Sequence, residues 1–323
     1  MPPQPVRGLH HVTAYASDPQ RNLDFYTQVL GLRFVKKTVN FDDPGTYHFY
    51  FGDDAGSPGT ILTFFPWPNA VPGSVGAGET SHTAFSIPAD SIPYWHQRLT
   101  AAGVPVTQPL QRFDDQVLTF PDPDCMKIEL IAHAQTEASP TPANPSRFAD
   151  VAPEHAIRGF FGVTLLAREL SPTAAVLTLM GFSRTQESPS RIRFSAPGNA
   201  LGRHIDIVLD PHARHGRAGA GTVHHIAFRV PDNADQLLWR AQIAQAPLHV
   251  TTVQDRTYFH SIYFREPGGV LFEMATDPPG FGLDEPIEAL GETLCIPSWL
   301  EPRRAAIEAR LIPVTLNKAS LPC

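Results

Sequence analysis

His10-His11-Val12-Thr13-Ala14-Tyr15 and His224-His225-Ile226-Ala227-Phe228 are two near-identical strand openings on opposite sides of the chain's midpoint. A histidine at a fixed place in repeated strands is how duplicated modules can assemble a metal site from distant sequence. Working outward from the two openings, four segments show one order of elements. Their first strands fall at 10–17, 81–88, 158–167 and 223–230. Helical patterns follow at about 19–30, 91–103, 172–180 and 232–246, with Leu23, Tyr26, Val29 and Leu30 recurring at helical spacing. Asp18 and Asp232 stand where N-caps belong. Further strands alternate or run apolar, as in Tyr47 to Phe51 and Val270 to Met274.

The repeat holds at its far end too. Phe120-Pro121-Asp122-Pro123 precedes Glu129 as Phe264-Arg265-Glu266-Pro267 precedes Glu273, at the same Phe-to-Glu spacing. Thr63 and Asp206 take this place in the other two modules. The expected fold is therefore α+β, with four βαβββ modules paired into two cupped mixed β-sheets and helices outside. Modules one and two are expected over 1–138, a Pro-rich linker over 139–153, modules three and four over 154–280, and a C-terminal tail with a short helix, Glu301 to Leu311, over 281–323.

Composition narrows the function class. A net charge of −7 over 323 residues offers no basic field, so no nucleic-acid partner is expected. The three cysteines form neither a CxxC spacing nor a disulfide framework, as suits a reducing compartment. There is no apolar signal core and no run long enough to span a membrane, so a cytoplasmic location is expected. Exposed strand edges and the tail leave room for a homo-oligomer.

Strand alternation sorts the histidines. His224 shares a face with Ile226, Phe228 and Val230, and His10 with Val12 and Ala14, which regular strands would turn toward the helices. His11 and His225 fall on the other face, toward a cup. The missing carboxylate depends on which modules pair. Modules one and two would give His11, His82 and Glu129; modules one and four would give His11, His225 and Glu273. Either set is two histidines and one carboxylate, the facial triad with which non-haem Fe(II) holds substrate and O2 side by side, though Mn, Zn, Co or Ni would accept the same donors.

These modules, both His-His openings and the run from Asp255 to Glu273, which includes Arg256, Tyr263 and Glu266-Pro267-Gly268-Gly269, resemble the vicinal oxygen chelate superfamily. More narrowly they resemble its ring-cleaving hydroquinone dioxygenases, the group around chlorohydroquinone 1,2-dioxygenase, over nearly the whole chain. The resemblance implies a metal site of His11, His225 and Glu273 holding Fe(II), with Mn(II) as an alternative, and leaves His82, Glu129 and Asp206 as remnants of duplication. It implies Tyr263, Arg256, His10 and His224 as catalytic neighbours, and a small aromatic substrate, a hydroquinone, opened with O2. A glyoxalase-type metal lyase or isomerase and a non-catalytic aromatic-binding protein of the same fold are the alternatives. Aromatic residues of Phe64-Phe65-Pro66-Trp67 are candidates for the cup lining.

Overall fold

The computed structural model describes residues 2–133 and 150–317; most of the expected Pro-rich linker lies outside the described residues. Module one comprises β1 (Leu9–Ala16), α1 (Pro19–Asp24), β2 (Arg33–Val39), β3 (Tyr47–Gly52) and β4 (Ile61–Pro66). Module two comprises β5 (Glu79–Pro88), α2 (Ile92–Ala101), β6 (Leu110–Arg112), β7 (Asp115–Pro121) and β8 (Lys127–His133). Module three runs through β9 (Gly159–Ala167), α3 (Ser171–Leu179), β10 (Ser183–Ser188), β11 (Arg191–Ser195) and β12 (His204–Leu209). Module four runs through β13 (Val223–Val230), α4 (Asn233–Gln245), β14 (Gln254–Asp255), β15 (Phe259–Arg265) and β16 (Leu271–Pro279).

The expected caps form. Asp18 Oδ1 accepts from Arg21 N at 2.8 Å, and Asp232 Oδ1 from Asp235 N at 2.9 Å, each satisfying a backbone donor left free at a helix start. The pattern at 19–30 is not one α-helix throughout: α1 gives way at Phe25–Val29 to a wider π-helical turn, and Leu30 N bonds to Phe25 O. Leu23, Tyr26 and Leu30 are nevertheless buried together.

The modules pair first with fourth and second with third. One eight-stranded sheet has the order β14-β15-β16-β13-β1-β4-β3-β2, the other β10-β11-β12-β9-β5-β8-β7-β6. The first sheet joins its modules through antiparallel β1 and β13, the second through antiparallel β5 and β9. Helices and the outward strand residues form one large core, in which Trp239 and Ile243 of α4 are buried with Phe228 and Phe272. A smaller apolar cluster, including Tyr50, Tyr258, Phe259 and Phe281, is separate from that core. Buried polar contacts stitch the modules: Tyr26 Oη donates to Asp122 Oδ2 at 2.9 Å, and Thr173 Oγ1 to Glu266 Oε2 at 2.8 Å.

The tail runs along the edge strand β2, where Cys295 N bonds to Lys37 O at 2.9 Å. Fully buried Lys36 reaches Asp284 and Glu285 at 2.6 Å each. The helix expected from Glu301 to Leu311 is shorter: a 3₁₀ turn, Glu301–Arg303, leads into α5 (Arg304–Glu308). Pro313 disfavours helical backbone just before it. Ile307 and Leu311 are buried, as the pattern implied.

Candidate metal centre

β1, β13 and β16 are adjacent at the middle of the first sheet, and each supplies one group to a buried cluster. His11 Nε2 lies 3.2 Å from His225 Nε2 and 3.3 Å from Glu273 Oε2, and His225 Nε2 lies 2.9 Å from the same oxygen. Donors bound at about 2.1 Å and at right angles stand about 3.0 Å apart, so the three separations suit one small cation. Glu273 is completely buried. Its Oε1 accepts from Ser261 Oγ, while Oε2 is in hydrogen-bond geometry with no group. A buried carboxylate oxygen left orphaned between two imidazole nitrogens is the observation that fits a metal. The cluster of modules one and four thus comes together in space, whereas His82 and Glu129 lie in the other sheet.

Electrostatics leaves these groups ready to coordinate. Burial alone would raise the Glu273 pKa, but the imidazoles of His11 and His225 outweigh it and hold the carboxyl well below the usual range. Burial lowers the His225 pKa, with Glu273 opposing, and so favours the neutral ring a metal needs.

Regular alternation places His10 and His224 on the helix side, and the structure corrects this. Across β1 and β13, Leu9 faces Phe228 while His11 faces Ala227, so His10 is an extra residue. Thr13 faces His225 while Ala14 faces Val223, so His224 is another. Each doublet is a β-bulge, which re-aims a side chain that strict pleating would send to the far face. The rings of His10 and His11 both pack on Phe259, at 5.0 and 4.9 Å. His10 Nδ1 lies 2.9 Å from His11 Nδ1, and His224 Nδ1 lies 2.7 Å from His225 Nδ1. A proton on Nδ1 of His11 or His225, given to its neighbour, leaves that ring's Nε2 lone pair facing the cluster. On β15 plain alternation suffices: Phe259 shares a face with Ser261 and Tyr263 and so reaches the cup, the irregularity in this pairing lying in the extra residues of β16 before Pro279.

Tyr263 stands directly opposite Glu273 across β15 and β16. Arg256 Nε donates to its Oη at 3.2 Å, and the guanidinium lies 5.4 Å from the ring centre. Burial raises the Tyr263 pKa, Glu273 adds to this and Arg256 opposes it, so the phenol stays protonated. Arg256 also reaches across the mouth of the cup to Asp42 at 3.4 Å. A cavity of about 230 Å³ opens beside the cluster. Tyr15, Phe65, Trp67 and Phe259 give it aromatic walls, while Phe64 belongs to the core. His224 lines the cavity; His10 does not, its ring turned toward the Thr276 backbone.

His48, Tyr50 and Asn40 also line the cavity and were not singled out by the sequence. The signal for the first two was there, since alternation in β3 puts them opposite Phe49 and Phe51. Asn40 follows β2 in a loop, where no periodicity applies.

The second cup shows what the duplicated positions became. Gly162 faces Ala84 as His11 faces Ala227, so glycine occupies the place of the first histidine. A Cβ there would lie 1.9 Å from the His204 carbonyl oxygen. Glu129, the counterpart of Glu273, is bound by both terminal nitrogens of Arg112 at 2.6 and 2.7 Å, and His82 stands 3.9 Å away. Asp206 is taken by Arg191 and Arg193. Guanidinium groups fill the charge that a metal would fill.

Residues 8–130 and 161–274 match the family described as "Glyoxalase/Bleomycin resistance protein/Dioxygenase superfamily". "Putative ring-cleaving dioxygenase MhqO" of Bacillus subtilis (strain 168) is 47% identical over 312 residues, covering 96% of this chain and 97% of the relative. "Chlorohydroquinone/hydroquinone 1,2-dioxygenase" of Sphingobium indicum is 33% identical over 311 residues, covering 93% and 94%. Among solved structures, a "putative dioxygenase" from Bacillus subtilis superposes with a TM-score of 0.92 at 45% identity, covering 98% of this chain and all of that one. No helix among the described residues is long and apolar enough to cross a membrane.

Proposed function

Because the chain belongs to the glyoxalase/bleomycin resistance protein/dioxygenase superfamily, we propose that it is a ring-cleaving dioxygenase that opens a hydroquinone with O2. Its metal, Fe(II) with Mn(II) as the alternative, is held by His11, His225 and Glu273. The observation that carries this reading is the orphaned Glu273 oxygen between two imidazole nitrogens at the edge of an aromatic-walled cavity. The names of the relatives point the same way.

When bound, Fe(II) with open adjacent positions favours the phenolate by its charge and links an electron-rich ring to O2. The protein's own groups do the rest. Tyr15, Phe65 and Trp67 stack and enclose the ring. The Tyr263 hydroxyl, oriented by Arg256, donates to the ring oxygen nearest Glu273, and Arg256 offsets negative charge as the ring opens. His224 keeps its Nδ1 engaged with His225 and presents Nε2 to the cavity, where it can hold a proton. A cavity of about 230 Å³ suits a single substituted ring, since about 150 Å³ already admits benzene. It is small for the glutathione adduct of a glyoxalase-type reaction, because drug-sized ligands occupy about 300 Å³ or more.

The test is oxygen uptake by protein loaded anaerobically with Fe(II), challenged with a panel of hydroquinones and catechols, with His225→Ala as control. Uptake on a hydroquinone, abolished in the variant, is expected. Silence on every ring, or full activity in His225→Ala, overturns the reading.

A further inference from the structure

We propose that Asn40 selects for a ring bearing a second oxygen, by donating its side-chain amide N–H to the oxygen remote from the His11, His225 and Glu273 cluster. The inference rests on the ring-binding reading above and extends it to the substrate's far end.

Asn40 follows β2, the edge strand of the first sheet, whereas the cluster sits on central strands β1, β13 and β16. Cluster and Asn40 face one cavity, so a ring anchored at the cluster extends toward Asn40. The residue is only 8% exposed. Its Oδ1 accepts from Asp42 N at 3.0 Å, closing an Asx turn. That bond identifies which end of the amide is oxygen and leaves Nδ2 as the other end. Among the described residues no protein group accepts from Nδ2. The Nδ2 end is open to the cavity, and a hydroxyl, phenolate or quinone oxygen of a bound ring would accept from it where water is displaced.

Apart from the Tyr15 hydroxyl, the other donors of the cavity are committed or lie at the cluster. Both ring nitrogens of His48 are engaged, by Tyr50 Oη and Thr63 Oγ1, each at 2.9 Å. Arg256 is shared between Tyr263 and Asp42. Asn40 thus supplies the amide donor away from the cluster, and a site built to bond a ring oxygen rejects the analogue that lacks it.

The test compares hydroquinone with phenol, binding measured by calorimetry under argon on Fe(II)-supplied wild type, Asn40→Asp and Asn40→Leu. Asn40→Asp keeps the oxygen that closes the turn and exchanges the donor for an acceptor. Wild type should bind hydroquinone about tenfold or more tightly than phenol, and Asn40→Asp should lose that advantage with phenol affinity unchanged. Asn40→Leu should lose it as well. Equal binding of the two rings by wild type, equal weakening of both in Asn40→Asp, or failure of wild type to bind hydroquinone overturns the proposal. Selective hydroquinone binding without oxygen uptake would sink ring cleavage alone and leave Asn40 its role. Uptake with an unchanged KM in Asn40→Asp would sink the role of Asn40 alone.

Discussion

In each His-His doublet the two Nδ1 atoms face one another, and the far nitrogens of His10 and His224 then have different surroundings. His10 is buried, with its ring turned toward the Thr276 backbone, whereas His224 borders the cavity. Burial, with His225 adding to it, pushes the His224 pKa down to about 3, so that ring meets a ligand neutral across the physiological range. His10→Phe should therefore weaken metal binding about 10–100-fold while leaving KM unchanged at saturating metal. His224→Phe should weaken the metal similarly and also change KM or kcat once the metal is saturating. Metal-competition titrations followed by steady-state kinetics separate the two; a KM change in His10→Phe would contradict the assignment. The histidines themselves were legible as a repeat. Their direction was not, because a bulge is a property of two paired strands and leaves no mark in the spacing of one.

At the level of elements, caps and strand ends were legible because they depend on neighbours within a few residues. The seam between modules depends on distant ones. Asp122, before β8, accepts from Tyr26 Oη beyond α1 and from the backbone N–H of Asp124 and Met126. Burial outweighs these bonds and lifts its pKa from 3.8 to about 7. Between those values the native chain binds more protons than the unfolded chain, so stability is full below about pH 4 and falls as pH rises toward 7. The span corresponds to at most about 4 kcal/mol. Asp122→Asn keeps an acceptor for the backbone and removes the titration. Melting temperatures across roughly pH 5 to 8 should show a shallower decline in the variant than in wild type; parallel curves would show that Asp122 does not carry the slope.

For the whole molecule, duplication offered two cups and the structure equips one for a metal. Gly162 and Arg112 stand where the second cup would need an imidazole and an open carboxylate. Elemental analysis of the purified holoprotein should find one metal per chain, unchanged in Glu129→Gln and lost in Glu273→Gln. Two metals per chain, or loss on changing Glu129, would refute the asymmetry. By itself the sequence determined the four modules, the caps of α1 and α4, and the carboxylates that close modules two and four. Those follow from short-range periodicity and local backbone chemistry. Its pattern left the choice between His82 with Glu129 and His225 with Glu273 open, and that choice hangs on which strands pair. Only the tertiary structure set β1 beside β13, bulged both doublets into the cup, brought Asn40 and His48 to the cavity and filled the other cup with guanidinium groups. Pairing and register are decided by packing between residues far apart in the chain, which the spacing along any one strand does not record.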